Sequence, residues 1–98
     1  MFIYMKVKIK NSNKKGKKLM ATFNCDGNLK TIHFGSAGMS DFTKHKDPQR
    51  KERYLKRHKK NENWNNPETA GALSRWVLWN KPTLSASISD YKKRFKLS

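Results

Sequence analysis

The sequence predicts an α+β fold: a three-stranded antiparallel β-meander followed by three α-helices, in a single basic domain spanning residues 1–98. Three observations carry that expectation. Apolar and polar residues alternate through the first third of the chain, the pattern of half-buried strands. Two Asx-Pro pairs, Asp47-Pro48 and Asn66-Pro67, combine a capping side chain with proline at the first helical position. Near the end, Leu84, Ile88, Tyr91 and Phe95 step by four, three and four residues, an apolar stripe along a helix. A chain of 98 residues has room for one modest core and no second lobe.

The first strand is expected over about 2–10, with Ile3, Met5, Val7 and Ile9 on one face and Phe2, Tyr4, Lys6, Lys8 and Lys10 on the other. A lysine-rich turn around Gly16 leads to a second strand, about 18–25, carrying Leu19, Ala21, Phe23 and Cys25. Asp26-Gly27-Asn28 is a tight-turn signal, because glycine and Asn/Asp tolerate positive φ. A third strand, about 29–34, places Ile32 and Phe34 in the core with Lys30 level with them. Gly35 to Gly38 ends the sheet, and Ser40 and Asp41 cap a short turn anchored by Phe42. Helices are expected at about 47–60, 67–80 and 84–96, the last capped by Thr83 or Ser85. The middle helix has apolar groups on more than one side (Ala70, Leu73 and Val77, then Ala72, Trp76 and Trp79), so it should be the most buried.

Charge sets the partner class. The formal net charge is +16, with 23 Lys and Arg against seven Asp and Glu, so an anionic partner is expected. The three Trp, five Phe and three Tyr supply buriable surface and argue against disorder at 35% hydrophobic content. A single cysteine, Cys25, excludes an internal disulfide framework and fits a reducing compartment. Lysines interrupt the apolar cluster at Met1–Ile9, so no membrane span, signal peptide or membrane partner is expected.

No constellation for catalysis stands out. His33, His45 and His58 are scattered and lack zinc-site spacing with Cys25, so neither a metal nor a cofactor is expected. The acidic residues are dispersed, whereas a metal-dependent nuclease needs clustered carboxylates. Gly35-Ser36-Ala37-Gly38 lacks the phosphate-loop pattern. The expectation is a binding protein, not an enzyme.

The segment Lys44–Lys60 stands apart. It holds Lys44, Lys46, Arg50, Lys51, Arg53, Lys56, Arg57, Lys59 and Lys60 against only Asp47 and Glu52. As a helix from Pro48, it aligns Arg50, Arg53, Arg57 and Lys60 in one stripe, with Glu52 four residues before Lys56. A second basic cluster lies at Lys14, Lys15, Lys17 and Lys18. A one-signed excess of this kind matches the footprint of nucleic-acid binding. Arginine forks grip phosphate bidentately, lysines act as mobile charges, and released counterions make binding salt-dependent. Few side chains on the helix suit base edges, so sequence-tolerant binding to double-stranded DNA is expected, with RNA as an alternative. Two separate basic surfaces would bridge two duplex segments, and self-association would serve the same end. Trp76 and Trp79, three apart on the middle helix, are expected in the core rather than stacked on bases, while Trp64 among its asparagines fits either role.

Residues 35–84 carry the patterns SAGMSDFTKHKDPQRKERYLKRH and TAGALSRWVLWNKPTL, joined through Trp64. This half of the chain resembles a family of small basic proteins encoded by giant nucleocytoplasmic large DNA viruses, including mimivirus-like and algal viruses. The resemblance implies a viral origin, a virion or viral-factory setting in the host cytoplasm, and a large double-stranded DNA genome nearby. It supplies no functional residues. The combined expectation is a nucleoid or genome-compaction protein. A minor capsid or core protein, or an RNA- or ribosome-associated factor, is the alternative.

Overall fold

The computed structural model describes residues 5–98, so Phe2, Ile3 and Tyr4 of the expected first strand lie outside the described residues. Strands β1 (Met5–Asn11), β2 (Lys17–Cys25) and β3 (Asn28–Ser36) form one antiparallel sheet in the order β1-β2-β3. The register pairs Val7 with Phe23 and Ile9 with Ala21 on one side, and Leu19 with Phe34 and Ala21 with Ile32 on the other. Alternation therefore gathers the apolar residues on one face of the sheet, as the sequence predicts. Asp26 and Gly27 both have positive φ (52° and 87°) and form the two-residue loop between Cys25 and Asn28. This is the turn geometry that matches strand twist.

Four helical elements follow: α1 (Phe42–His45), α2 (Pro48–Lys59), α3 (Ala70–Leu73) and α4 (Leu84–Arg94). Asp41 caps α1, so the expected short turn closes into a four-residue helix with Phe42 buried. Asp47 caps α2 as expected, its carboxylate accepting from the Gln49 N–H at 3.0 Å with proline at the start.

The middle helix departs from expectation at both ends. Asn66 does not cap a helix from Pro67. Its side chain accepts from the Glu68 N–H in a local turn, and Thr69 caps α3 through the Ala72 N–H. At the other end α3 widens into a π-helical segment, Ser74–Leu78, where the Trp79 N–H reaches the Ser74 carbonyl at 3.0 Å.

These helices cover the apolar sheet face. Val7, Leu19, Ala21, Phe23 and Phe34 meet Leu73, Val77, Leu78 and Tyr91 in one buried cluster. Each large side chain contributes roughly 1.5–3 kcal/mol by leaving water. The Tyr91 hydroxyl, which would be costly to bury alone, donates to the Pro67 carbonyl at 2.7 Å. The Ser87 hydroxyl, also fully buried, accepts from the Lys81 N–H at 2.9 Å and donates to the Lys81 carbonyl. The outer edge of β1 is closed by Ser98, which exchanges backbone bonds with Met5 and Val7 (3.1 and 2.8 Å).

Gly35 marks the tightest approach between sheet and helices. It has φ +78°, and a Cβ there would lie 2.8 Å from Leu78 Cδ1 and 3.3 Å from Lys18 Cβ. Gly35→Ala combines left-handed strain with overpacking. It is expected to destabilise the fold by about 2–4 kcal/mol, read as a lowered urea midpoint with an unchanged m-value.

Candidate nucleic-acid interface

Helix α2 divides its residues cleanly between two sides. Tyr54 is buried, and Lys51, Leu55 and His58 are half-buried on the same inner stripe, at the i, i+3, i+4, i+7 spacing of a docked helix. Arg50, Arg53, Arg57 and Lys60 all point outward and are exposed, as are Lys56 and Lys59. Glu52 is the one acid on this surface, and it sits 3.6 Å from Lys56 with both side chains largely in water. Such an exposed pair contributes little to stability.

An aromatic column holds the inner side. The Tyr54 ring stacks on Trp79 with centroids 4.2 Å apart and planes within 4°. His58 stacks on Tyr54 in turn, also at 4.2 Å, while His45 lies against Trp79 at 5.3 Å. Burial first, and the Glu62 carboxylate second, push the Tyr54 phenol well above its ordinary pKa, so it remains a neutral ring. Glu62 also ties the end of α2 to the segment that follows. It meets His58 Nδ1 at 3.2 Å and accepts from Trp64 Nε1 at 3.0 Å.

Eleven of the thirteen predicted binding cations are exposed: Lys14, Lys15, Lys17, Lys44, Lys46, Arg50, Arg53, Lys56, Arg57, Lys59 and Lys60. The other two turn inward. Lys51 Nζ donates to the Asn80 carbonyl at 2.7 Å and lies 4.9 Å from the centre of the Phe42 ring. Burial, then the charges of Arg75 and Lys81, hold its pKa below the ordinary lysine value. Lys18 Nζ pairs with Asp41 at 2.6 Å, with only 12% of its side chain exposed and 2% of the aspartate's. Both lysines serve the fold, not an incoming ligand.

The two predicted clusters do not oppose each other. Lys17 at the start of β2 and Arg57 from α2 line one cleft of about 320 Å³, with Ser36, Ser40 and His58 between the strands and the helix. The start of β2 and the helix therefore contribute to one cationic surface. At Lys17 and Arg57 the two clusters meet.

All three tryptophans are half-buried, and each has a structural partner. Trp76 and Trp79 pack against the core cluster, and Trp76 Nε1 donates to the Trp64 carbonyl at 2.9 Å. The Arg75 and Arg94 guanidinium groups lie 4.1 and 3.8 Å from the Trp76 ring centre. Arg75 also donates to the Trp79 carbonyl at 2.8 Å. Together with Lys51 on Asn80, it satisfies carbonyls where the wide helical segment ends. Sequence reasoning passed over Arg75 because it stands alone among apolar residues. It also passed over Lys6, Lys8 and Lys10 as a candidate surface, although alternation placed them together.

Among the described residues, no three His, Cys, Asp or Glu side chains gather in a way that could hold a metal ion. No described helix is long and apolar enough to cross a membrane.

These features define a small basic α+β domain that presents a helix-borne row of cations on a docked scaffold. The chain belongs to DUF5754, a family of unknown function, whose model matches residues 7–58, from β1 through most of α2. No curated protein and no solved structure matches the chain.

Proposed function

We propose that this protein binds double-stranded DNA through its phosphates, without reading sequence, and that it compacts the DNA it binds. The observation that carries this reading is the outer row of α2. Arg50, Arg53, Arg57 and Lys60 are exposed, aligned and one-signed, on a helix held by the Tyr54–Trp79 stack. A cationic row on a fixed backbone pays less ordering entropy on meeting phosphate than a flexible tail does. Lys17 at the neighbouring cleft, with Lys14 and Lys15 in the turn just before it, extends the surface. Few uncharged side chains beside the row suit a base edge, Gln49 before it and Asn61 after it, so phosphate contacts supply the affinity. The role is binding, not catalysis. The resemblance of residues 35–84 to proteins of large DNA viruses supports a genome-associated setting, in the virion or the viral factory.

The test is a salt titration with two duplexes of unrelated sequence. With about six phosphates neutralised, affinity falls roughly 1,000-fold between ~50 and ~200 mM salt, in parallel for both duplexes. A nearly flat salt response refutes phosphate-driven binding. A preference for duplex RNA over duplex DNA under the same conditions reassigns the partner.

A further inference from the structure

The helices cover one face of the sheet, and the other face is open. On it β1 sets Lys6, Lys8 and Lys10 at alternate positions, opposite Asn24, Thr22 and Met20 of β2. Thr31 and Leu29 of β3 continue the same surface, paired with Thr22 and Asn24. His33, paired with Met20, completes it. Lys8 and Lys10 are exposed, whereas Val7 between them and Lys6 is 2% exposed in the core. Among the described residues of this face none is acidic, and the groups beside the lysines are mostly hydrogen-bonding. The Thr22 and Thr31 hydroxyls lie 3.3 Å apart, and Ser12 Oγ meets His33 Nδ1 at 2.7 Å.

We infer that this open face is a second phosphate-binding surface, which takes a second DNA duplex while α2 holds the first. The inference rests on the reading of α2 given above. Its direction follows from packing. Tyr54 docks α2 on Trp79, and Trp79 packs against the core from the helical side, so the open face looks the other way. Its occupant follows from charge complementarity and shape. Successive lysines on one face of a strand stand ~6.8 Å apart, about twice the ~3.4 Å axial spacing of phosphates on one duplex strand. Among the described residues of this face only His33 has a ring. Single strands are held by aromatic platforms on which bases stack, and the described residues of this face supply none beyond the His33 imidazole. A duplex backbone needs only cations and hydroxyl donors. With Lys17 and Arg57 committed to one cleft, this face is the site from which one copy of the chain can join two duplexes.

The experiment uses the full chain at ~150 mM salt, where the Debye length of ~8 Å keeps the two sides of the molecule electrostatically separate. One duplex is immobilised, protein is bound, and capture of a second, labelled duplex is measured. Lys8→Gln with Lys10→Gln should cut capture of the second duplex at least about ten-fold, from two lost phosphate contacts, while affinity for the immobilised duplex changes less than about three-fold. Lys92→Gln with Lys93→Gln removes the same charge from α4 and should leave capture unchanged. Equal melting temperatures establish that the variants fold.

Wild-type capture by the Lys8/Lys10 variant overturns the inference and assigns bridging to pairing between α2-bound copies. Absence of capture by the unaltered protein overturns it as well. Arg50→Gln with Arg53→Gln and Arg57→Gln separates the two readings. Loss of the immobilised duplex in that variant upholds α2 whatever the sheet variant does. Retention there, with loss in the sheet variant, overturns both the α2 reading and the assignment of the sheet as the second site.

Discussion

Changing Arg50, Arg53 and Arg57 together to glutamine is expected to weaken duplex binding about 100-fold at ~100 mM salt and to lower the salt slope by nearly three. The size follows from the lost contacts: each arginine supplies a planar fork that grips phosphate with two parallel bonds. Stability should stay within about 0.5 kcal/mol of the unaltered protein, as for surface changes that remove no buried contact. All three residues are exposed, and none makes a hydrogen bond or ion pair among the described residues. Glutamine also keeps good helix propensity, so α2 retains its backbone. Two measurements decide the matter, fluorescence anisotropy across a salt series and a urea melt. A stable variant with undiminished affinity removes α2 from the interface. A large loss of stability would mean that the arginines are structural.

The largest effect on folding is expected at Asp41. This carboxylate is 1% exposed and holds three donors: Lys18 Nζ, the Thr43 N–H and the Thr43 hydroxyl. Asp41→Ala removes the cap of α1 and leaves the shielded Lys18 ammonium without its counter-charge. Breaking a buried pair from one side costs about 3–5 kcal/mol.

The same group sets an acid limit. Burial by itself raises the Asp41 pKa, but the bonds from Lys18 and Thr43 and the Lys18 charge outweigh it and leave the value below that of an ordinary aspartate. A depressed carboxyl pKa stabilises the fold at every pH above its unfolded value of about 3.9, and that contribution is lost as pH falls through the folded value. Asp90 acts in the same direction, held down chiefly by the bond from Asn80, with Arg94 adding to it. Urea melts should therefore show a flat plateau through neutral pH and a decline below about pH 4. In Asp41→Asn the overall stability is lower and the acid decline shallower. Equal midpoints for Asp41→Ala and the unaltered protein would show that the pair stabilises nothing.

The sheet was legible in the sequence because one face is buried and the other is not, and a period of two records that contrast directly. The start of α2 was equally plain, since Asp47 and Pro48 act within two residues of each other. The start of α3 misled because an Asx-Pro pair fits a simple turn as well as a helix cap, and Thr69 provided a better cap three residues later. Within the basic runs every lysine looks alike. What separates Lys18 and Lys51 from their neighbours is a partner 23 residues away in one case and 29 in the other. No local pattern encodes those distances. The outer row of α2 was visible because it repeats at helical spacing. The Tyr54–Trp79 stack that orients it was not, because it joins two helices whose mutual placement only the packed core decides.

The wide turn at Ser74–Leu78 takes on a further meaning once that stack is in view. A π segment carries one residue more than the α-helical period requires, so it sets the rotational phase of everything after it. Taking that residue out would restore the 3.6-residue repeat and swing Trp79 about 100° around the helix axis, away from Tyr54 and His45. The outward bearing of the arginine row is thus timed by a single surplus residue in a neighbouring helix, some twenty positions further along the chain.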